Sequence, residues 1–238
     1  MLLTPRTFAD DAPAGSAIMI DRRPEPELMD LPHEALAYAA ADFADVNAAF
    51  VDRLTALTFD LDVARAVDLG TGPADIAIRV ARQHPQWHID AVDAAAAMID
   101  IAQEAVVRAD LSRQVWLHRA DAKQTGLASG YDVIFSNSLL HHMPDPIPLW
   151  REIRRLARPG AVVFIRDLLR PPTYDRVEEI VSTYAGSESG LLQEEFRRSL
   201  MSAFNPGEIR GQLDEAGLFD LEIRQSSDRH VDVTGVLR

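Results

Sequence analysis

Five short apolar runs alternate with amphipathic stretches between residues 64 and 167, and this rhythm constrains the fold more than any other feature. The runs are ARAVDLG, WHIDAVD, QVWLH, YDVIFSN and AVVFIRD, at 64–70, 87–93, 114–118, 131–137 and 161–167. Helical periodicity marks the stretches 74–84, 95–109 and 147–157. Buried parallel strands are apolar on both faces and need crossovers between them. The pattern therefore predicts an α/β fold, a doubly wound and mostly parallel sheet with helices on both faces.

Both ends of the chain depart from this rhythm. Residues 1–30 are rich in Pro, Asp and Ala, which suggests an extended arm, and a helical pattern spans 32–59. Residues 171–203 are expected to form two helices joined by GSESG, and a further helix should run from Pro206 to a stop at Gly217. The runs at 219–225 and 230–236 are only a few residues apart, which predicts a C-terminal antiparallel hairpin. We also expect Arg158-Pro159-Gly160 to end the helix before it.

Composition narrows the class of partners. The net charge is −13 and the isoelectric point about 4.9, a balance that disfavours nucleic acid and anionic membranes. The chain has no cysteine, so disulfides and thiolate chemistry are excluded. We find no signal peptide and no apolar run long enough for a membrane helix, and therefore expect a cytoplasmic protein. The sequence leaves the oligomeric state open, with a homodimer among the alternatives.

A glycine turn follows the first run, in VDLGTGPADIAIRVA (67–81). Gly70 and Gly72 would let the backbone pass close to a ligand, although a plain strand-to-helix turn would use the same residues. Dinucleotide folds place a third glycine where this chain has Asp75, and a carboxylate there would repel a pyrophosphate. The carboxylates of Asp75 and of Asp68, at the strand end, together favour a cationic ligand without phosphate. S-adenosylmethionine (SAM) fits, because it carries a sulfonium and an ammonium.

Acidic residues after the next two strands suit the rest of such a ligand. Asp93 ends the second strand 25 residues after Asp68, near the spacing at which an acid binds ribose hydroxyls. Asp90 is the rival on that strand, and a helix N-cap is the alternative role for Asp93. Asp121 follows the third strand and could accept a hydrogen bond from adenine, or be a surface acid. Met98 could pack on adenine or belong to the core.

The order of VDLGTGPAD, AVDAAAAMIDIAQ, RADAKQ, YDVIFSNSLLHHMPDP, LARPGAVVFIRDLLRP and the final strand pair resembles that of class I SAM-dependent methyltransferases. The likeness is closest to small-molecule methyltransferases and covers residues 64–167 well. It implies a Rossmann-like domain at 61–238, with a helical cap formed by residues 1–60 and an insertion at about 171–205. It also implies that the chain transfers a methyl group from SAM, by in-line displacement, to a small molecule. Ala74 departs from the family, in which many members have a third glycine, and should be tolerated if its φ is negative. The cofactor-site residues that we predict are Asp68, Gly70, Thr71, Gly72, Asp93, Ala94, Met98, Asp121, Ala122 and Asn137.

The methyl acceptor needs a base only if it arrives protonated, and three residues could serve. His142 is preferred over its neighbour His141, which could cap or pack against the sheet, and Asp167 at the end of the fifth strand is the next candidate. Arg166 and Arg170 could bind a carboxylate substrate or be surface charges. Tyr38 could close over the site from the N-terminal helix, as could Phe43, or both could be packing residues. The HHMPD segment lacks a further ligand at suitable spacing, so we expect no metal site.

Three other hypotheses stay open. An RNA or protein methyltransferase is disfavoured by the acidity and by SNSLL after the fourth strand, where an N/D-P-P-Y/F motif would be expected. The second is a protein that binds SAM without transferring a methyl group. The third, a dinucleotide oxidoreductase, is disfavoured by Asp75.

Overall fold

The computed structural model describes residues 20–25, 36 and 43–238. One sheet orders its seven strands β3-β2-β1-β4-β5-β7-β6. The first five strands run parallel, and β7 is antiparallel to both β5 and β6. This architecture confirms the predicted doubly wound sheet and its C-terminal hairpin. The strands are β1 Arg65–Leu69, β2 His88–Asp93, β3 Val115–Arg119, β4 Tyr131–Asn137, β5 Ala157–Leu168, β6 Leu221–Gln225 and β7 His230–Val236.

Helices cover both faces of this sheet. Neighbouring strand residues point to opposite sides, so Val67 packs in one core cluster and Ala66 in the other. On the Ala66 side, Phe50 of the first helix stacks on Phe164 with ring centroids 4.4 Å apart. The helices are α1 Ala44–Leu57, α2 Asp75–Gln83, α3 Ala96–Arg108, α4 Ile147–Leu156, α5 Tyr174–Ala185, α6 Gly190–Ser202 and α7 Pro206–Ala216.

Local capping explains where α7 begins and ends. Asn205 accepts from the Glu208 backbone N–H, and the Glu208 carboxylate accepts from the Asn205 N–H, both at 2.9 Å. Gly217 ends the helix at φ 71°, a left-handed conformation that glycine adopts without strain. The predicted bounds of this helix are confirmed.

Two predicted boundaries differ from the structure. Helix α4 ends at Leu156, and β5 already begins at Ala157, so Arg158-Pro159-Gly160 lies within the strand instead of ending the helix. Gly160 donates its N–H to Leu237 O, directly after β7, at 2.7 Å, so this segment is hydrogen-bonded to the neighbouring strand. The continuous helix described near the N-terminus is α1, and residues 26–35 and 37–42 of the predicted 32–59 pattern lie outside the described residues.

Helices α5 and α6 form a layer over the carboxyl end of β5. Val177 and Leu200 share a small core with Leu168 and with Ile20 of the N-terminal arm, which we define as residues 20–25. Arm backbone hydrogen bonds join Ile20 N to Pro172 O at 3.3 Å and Arg23 N to Met201 O at 3.0 Å. The predicted pair of helices is thus present, and its role as a substrate cap stays a prediction. Within the described residues, no helix is both long and apolar enough to cross a bilayer.

Candidate active site

A cavity of about 840 Å³ opens at the carboxyl ends of the parallel strands. Its centre lies where the strand order reverses, between β1 and β4, which is where open α/β sheets bind ligands. The sequence-predicted cofactor residues all line it, and so do His142 and Phe43. Residues distant in sequence are therefore brought to one place by the topology.

The glycine turn after β1 forms one wall of the cavity. Gly70 has φ 76°, and a Cβ there would lie 2.8 Å from Leu139 Cδ1, so the turn and the loop after β4 can touch only without a side chain. Gly72 has φ 52°, and a Cβ there would meet no atom within 4 Å. Because Gly72 lines the cavity, that space is room for a ligand.

Ala74 corrects one expectation. We expected a negative φ, but the structure gives φ 65°, in the left-handed region. An L-residue with a Cβ is strained there by about 1–2 kcal/mol. Its methyl group is fully buried in the core beneath α2, and this packing offsets the backbone strain.

Asp68 places a carboxylate at the floor of the cavity. It is 2% exposed, and its Oδ2 accepts no hydrogen bond within the described residues. Burial raises the pKa of Asp68 from 3.8 to about 7, and the negative charge of Asp93 adds to this rise. A buried carboxylate with an unsatisfied oxygen is a strong acceptor for a cationic donor that enters the cavity.

Asp93 ties the end of β2 to the glycine turn. Its Oδ2 accepts from Gly72 N at 2.8 Å and its Oδ1 from Ala95 N at 2.9 Å. The alternative that Asp93 caps this helix is wrong, because the N-cap of α3 is Ala95, whose side chain makes no capping hydrogen bond; Asp93 instead accepts from the N–H of that N-cap residue. Each carboxylate oxygen keeps a second lone pair for a ligand hydroxyl. Burial raises the pKa of Asp93, although these backbone bonds oppose the rise.

The far end of the cavity is more apolar. Met98 is 5% exposed and lines this end together with Ile101 and Ala122. Asp121 is exposed, accepts from Lys123 N at 2.8 Å and pairs with Lys123 Nζ at 3.3 Å. This combination of a flat apolar wall and a polar rim suits a nucleobase.

The loop after β4 supplies the opposite wall. Asn137 and Ser138 line the cavity, and Ser138, at φ 56°, donates its N–H to Arg166 O at 2.9 Å. A short 3-10 turn, Leu140–His142, follows, and the rings of its two adjacent histidines lie side by side with centroids 4.2 Å apart. His142 lines the cavity, whereas His141 is 3% exposed and lies behind it.

Asp167 holds this histidine turn instead of facing the cavity. Its Oδ2 accepts from Leu140 N, and its Oδ1 lies next to His141 Nδ1, both at 2.6 Å. Burial alone would raise the pKa of Asp167, but the interaction with His141 outweighs it, and the net shift is downward. Burial likewise opposes the charged form of His141, yet Asp167 and Glu25 raise its pKa. Asp167 and His141 are thus placed as a supporting pair, and the structure brings neither to the cavity wall.

The predicted substrate residues are used elsewhere. Arg166 forms a bidentate ion pair with Asp232 of β7, at 2.7 and 2.8 Å. Arg170 is buried and pairs with Glu208 at 2.6 Å, which joins the end of β5 to α7. Neither side chain lines the cavity, so neither is positioned to bind a substrate there. Tyr38 lies outside the described residues.

Sequence reasoning used the charge of Asp75 but missed the side chains that contact it, and it missed Glu25. Asp75 lines the cavity, but its Oδ2 accepts from Arg79 at 2.6 Å and from Asn47 at 2.9 Å. The Arg79 guanidinium offsets the negative charge on which the argument against a dinucleotide depended. The i,i+4 spacing of Asp75 and Arg79 could have revealed the first pair. Asn47 comes from α1, and Glu25, which reaches the histidines, comes from the arm; no local pattern marks either.

Comparison with known proteins agrees with this geometry. Residues 67–163 match the family model of a methyltransferase domain. The trans-aconitate 2-methyltransferase of Azoarcus sp. (strain BH72) is 33% identical over 133 residues, which cover 53% of this chain and 49% of that protein. Residues 67–163 are thus similar to a methyltransferase domain, and this is as far as the family match extends. The chain spans about half the length of the curated relatives it matches.

Other methyltransferases show how far the likeness extends. The 27-O-demethylrifamycin SV methyltransferase of Amycolatopsis mediterranei (strain S699) is 26% identical over 156 residues, covering 65% of this chain and 53% of that one. The plantazolicin methyltransferase BpumL, solved with SAH (S-adenosylhomocysteine, the demethylated product of SAM), has a TM-score of 0.67 at 13% identity, covering 87% of this chain and 90% of that chain. At such identity, the structural match supports the methyltransferase fold alone.

Proposed function

We propose that this chain transfers the methyl group of SAM to a small-molecule acceptor. The observation that carries the proposal is the cavity floor, where a buried Asp68 oxygen lacks a partner within the described residues, next to the open space at Gly72. The SAM ammonium would complete the hydrogen bonds of Asp68. Asp93 would accept from the ribose hydroxyls, and Met98 would lie against the adenine.

The chain's own residues would mainly position and desolvate the reactants. SAM carries its methyl group on a sulfonium, and the leaving group is the neutral thioether SAH. Because this leaving group is already activated, alignment in a dry cavity can provide most of the acceleration. Asn137, Ser138 and His142 line the wall beyond the glycine turn, where an acceptor would enter. His142 is the candidate group to take a proton from it, and His141 and Asp167 fix the backbone turn that carries His142.

The small-molecule class is supported by the curated relatives, whose names specify trans-aconitate and a rifamycin derivative. The net charge of −13 disfavours RNA as the acceptor. We also propose a cytoplasmic location and no nucleic-acid or membrane partner. The homodimer left open by the sequence can be tested by sedimentation equilibrium.

Calorimetry tests the binding half of the proposal directly. We expect the wild type to bind SAM and SAH but not NAD, and Asp93→Ala to weaken SAM binding by at least tenfold. Asp100→Asn, on the exposed side of α3, is the control for loss of one negative charge and should bind SAM as the wild type does. Binding of NAD without SAM would refute the proposal.

An acceptor screen with methyl-labelled SAM tests the transfer half. We expect label in a small organic acceptor and none in tRNA or in a mixture of proteins. A protein that binds SAM but labels no acceptor in any of these classes would be a SAM-binding protein without transferase activity.

A further inference from the structure

A carboxylate from the N-terminal arm meets both histidines of the turn after β4. Glu25 Oε1 lies 3.1 Å from His142 Nδ1 and 3.4 Å from His141 Nε2. All three ligand atoms lie within 4.8 Å of one another. Glu25 is therefore the further ligand that the HHMPD segment lacks in the sequence.

These separations match those around a metal ion. Ligand atoms about 2.0–2.1 Å from a tetrahedral divalent ion lie about 3.4 Å apart, and cis ligands of an octahedral ion lie about 3 Å apart. Both measured distances fall in this range. The third pair, His141 Nε2 and His142 Nδ1, lies within 4.8 Å, so side-chain movement alone would bring the three atoms onto one ion.

The hydrogen bond behind His141 fixes which ring atom faces the cluster. Asp167 Oδ1 lies 2.6 Å from His141 Nδ1 and cannot donate when ionised, so the histidine proton lies on Nδ1. In the neutral ring this leaves the Nε2 lone pair directed at the Glu25 carboxylate, two acceptors 3.4 Å apart. Only a proton or a metal ion between them makes that approach favourable. A carboxylate that orients a histidine from behind is also the usual support of a metal ligand.

The surroundings hold Glu25 in place and leave one side of the cluster open. Ser199 Oγ lies 3.2 Å from each Glu25 oxygen, and Glu25 N donates to Ser202 Oγ at 3.2 Å. Arg22 of the arm donates to the carbonyl oxygens of His141 and Met143 at 3.0 and 2.8 Å. Glu25 is 11% exposed and His142 23% exposed, and His142 lines the large cavity.

We propose that Glu25, His141 and His142 bind one divalent first-row transition-metal ion, with Asp167 orienting His141 from behind. Two imidazoles and one carboxylate suit ions such as Zn²⁺, Fe²⁺ or Co²⁺ better than Mg²⁺, which prefers oxygen ligands. Three protein ligands leave at least one coordination position free, as in catalytic metal sites. Because His142 lines the cavity, an acceptor there would supply an oxygen or nitrogen ligand to the ion. This last role depends on the proposed methyl transfer, in which the bound ion would replace His142 as the group that activates the acceptor, whereas the metal site itself does not.

Metal binding can be measured on the full-length protein after treatment with a chelator, without SAM. We expect one Co²⁺ per chain, detected by visible d–d absorption, and displacement of Co²⁺ by Zn²⁺ but not by millimolar Mg²⁺. Glu25→Gln and His142→Ala should each weaken Co²⁺ binding by at least tenfold, and Asp167→Asn by 10- to 100-fold. His88→Ala removes an exposed histidine and should bind as the wild type does.

Two results would overturn the metal site. One is the absence of stoichiometric Co²⁺ or Zn²⁺ binding in the micromolar range, which would mean that a proton joins His141 to Glu25. The other is binding that Glu25→Gln and His142→Ala leave unchanged while circular dichroism shows native folds. SAM calorimetry on the same samples separates the two proposals, because SAM binding without metal binding refutes this site and leaves the proposed function intact.

Discussion

Replacing Asp68 with asparagine should stabilise the ligand-free protein at high pH while it weakens SAM binding. The folded-state pKa of about 7 lies above the ordinary value of 3.8, so ionisation favours the unfolded chain. The stability supplied by the protonated carboxyl is fully present below pH 3.8 and is lost as the pH rises through 7. Since one pKa unit corresponds to about 1.4 kcal/mol, the loss amounts to about 2 kcal/mol at pH 5 and about 4 kcal/mol at pH 8.

Asp68→Asn carries no charge at any pH and escapes this loss. The free energy of unfolding of the variant, minus that of the wild type, should therefore increase by about 2–3 kcal/mol between pH 5 and pH 8. Urea titrations at both values, without ligand, measure the difference. Asp100→Asn, which removes an exposed carboxylate, should show no such increase. A flat difference for Asp68→Asn would mean that the cavity floor already stabilises the ionised form.

Ionised Asp68 destabilises the ligand-free protein at high pH, but it should strengthen the binding of SAM. A bound ammonium needs Asp68 ionised, so SAM binding to the wild type should weaken about tenfold between pH 8 and pH 6. Asp68→Asn should bind SAM about 10- to 100-fold more weakly at pH 8, since it loses a hydrogen bond to a charged group. The contribution of Asp68 to this pH dependence should be absent in the variant. Equal affinity and equal pH dependence in both proteins would refute the assignment of Asp68 to the ammonium.

Three further substitutions test the turn, a helix cap and the core. Gly72→Val should abolish SAM binding because the valine side chain fills the open space of the cavity. Gly126→Val is the control, since Gly126 also has a positive φ (71°) and open surroundings, and it should bind SAM normally. Equal loss of binding in both variants would point to backbone strain. Asn205→Ala should lower the free energy of unfolding by about 1 kcal/mol in urea titration, and no change would mean that the capping box is dispensable. Phe50→Ala should lower the free energy of unfolding by about 3–5 kcal/mol, because it removes a fully buried ring stacked on Phe164; a loss below 1 kcal/mol would show that α1 does not anchor this face.

Local pattern predicted what depends on local structure. The apolar runs fixed the strands because burial on both faces leaves a clear signature, and Asp68, Gly72 and Asp93 could be found because strand ends and turns meet at one sheet edge. Helix α7 was predicted to the residue, since proline and glycine mark its two ends. The class of ligand proposed for the cavity was predicted from the charge and spacing of the acids at the strand ends.

The sequence did not predict which side chains form ion pairs with each other. Arg166 and Arg170 end in ion pairs with Asp232 and Glu208, residues 66 and 38 positions away, and nothing in the local sequence selects those partners over a substrate. The left-handed φ of Ala74 was missed for a similar reason, because the surrounding core enforces a backbone that alanine alone would avoid. Glu25 lies in a proline-rich arm with no periodicity, and only the fold brings it to the histidines.

The attachment of Glu25 has a practical consequence for protein engineering. The arm is joined to the rest of the fold through residues 26–42, whereas the two histidines lie in the turn directly after β4. A truncated version that starts at α1 would keep the strands, the glycine turn and the floor of the cavity, yet it would lack this carboxylate. Such a shortened protein would be a poor substitute for the full chain in any crystallisation or screening campaign aimed at the acceptor.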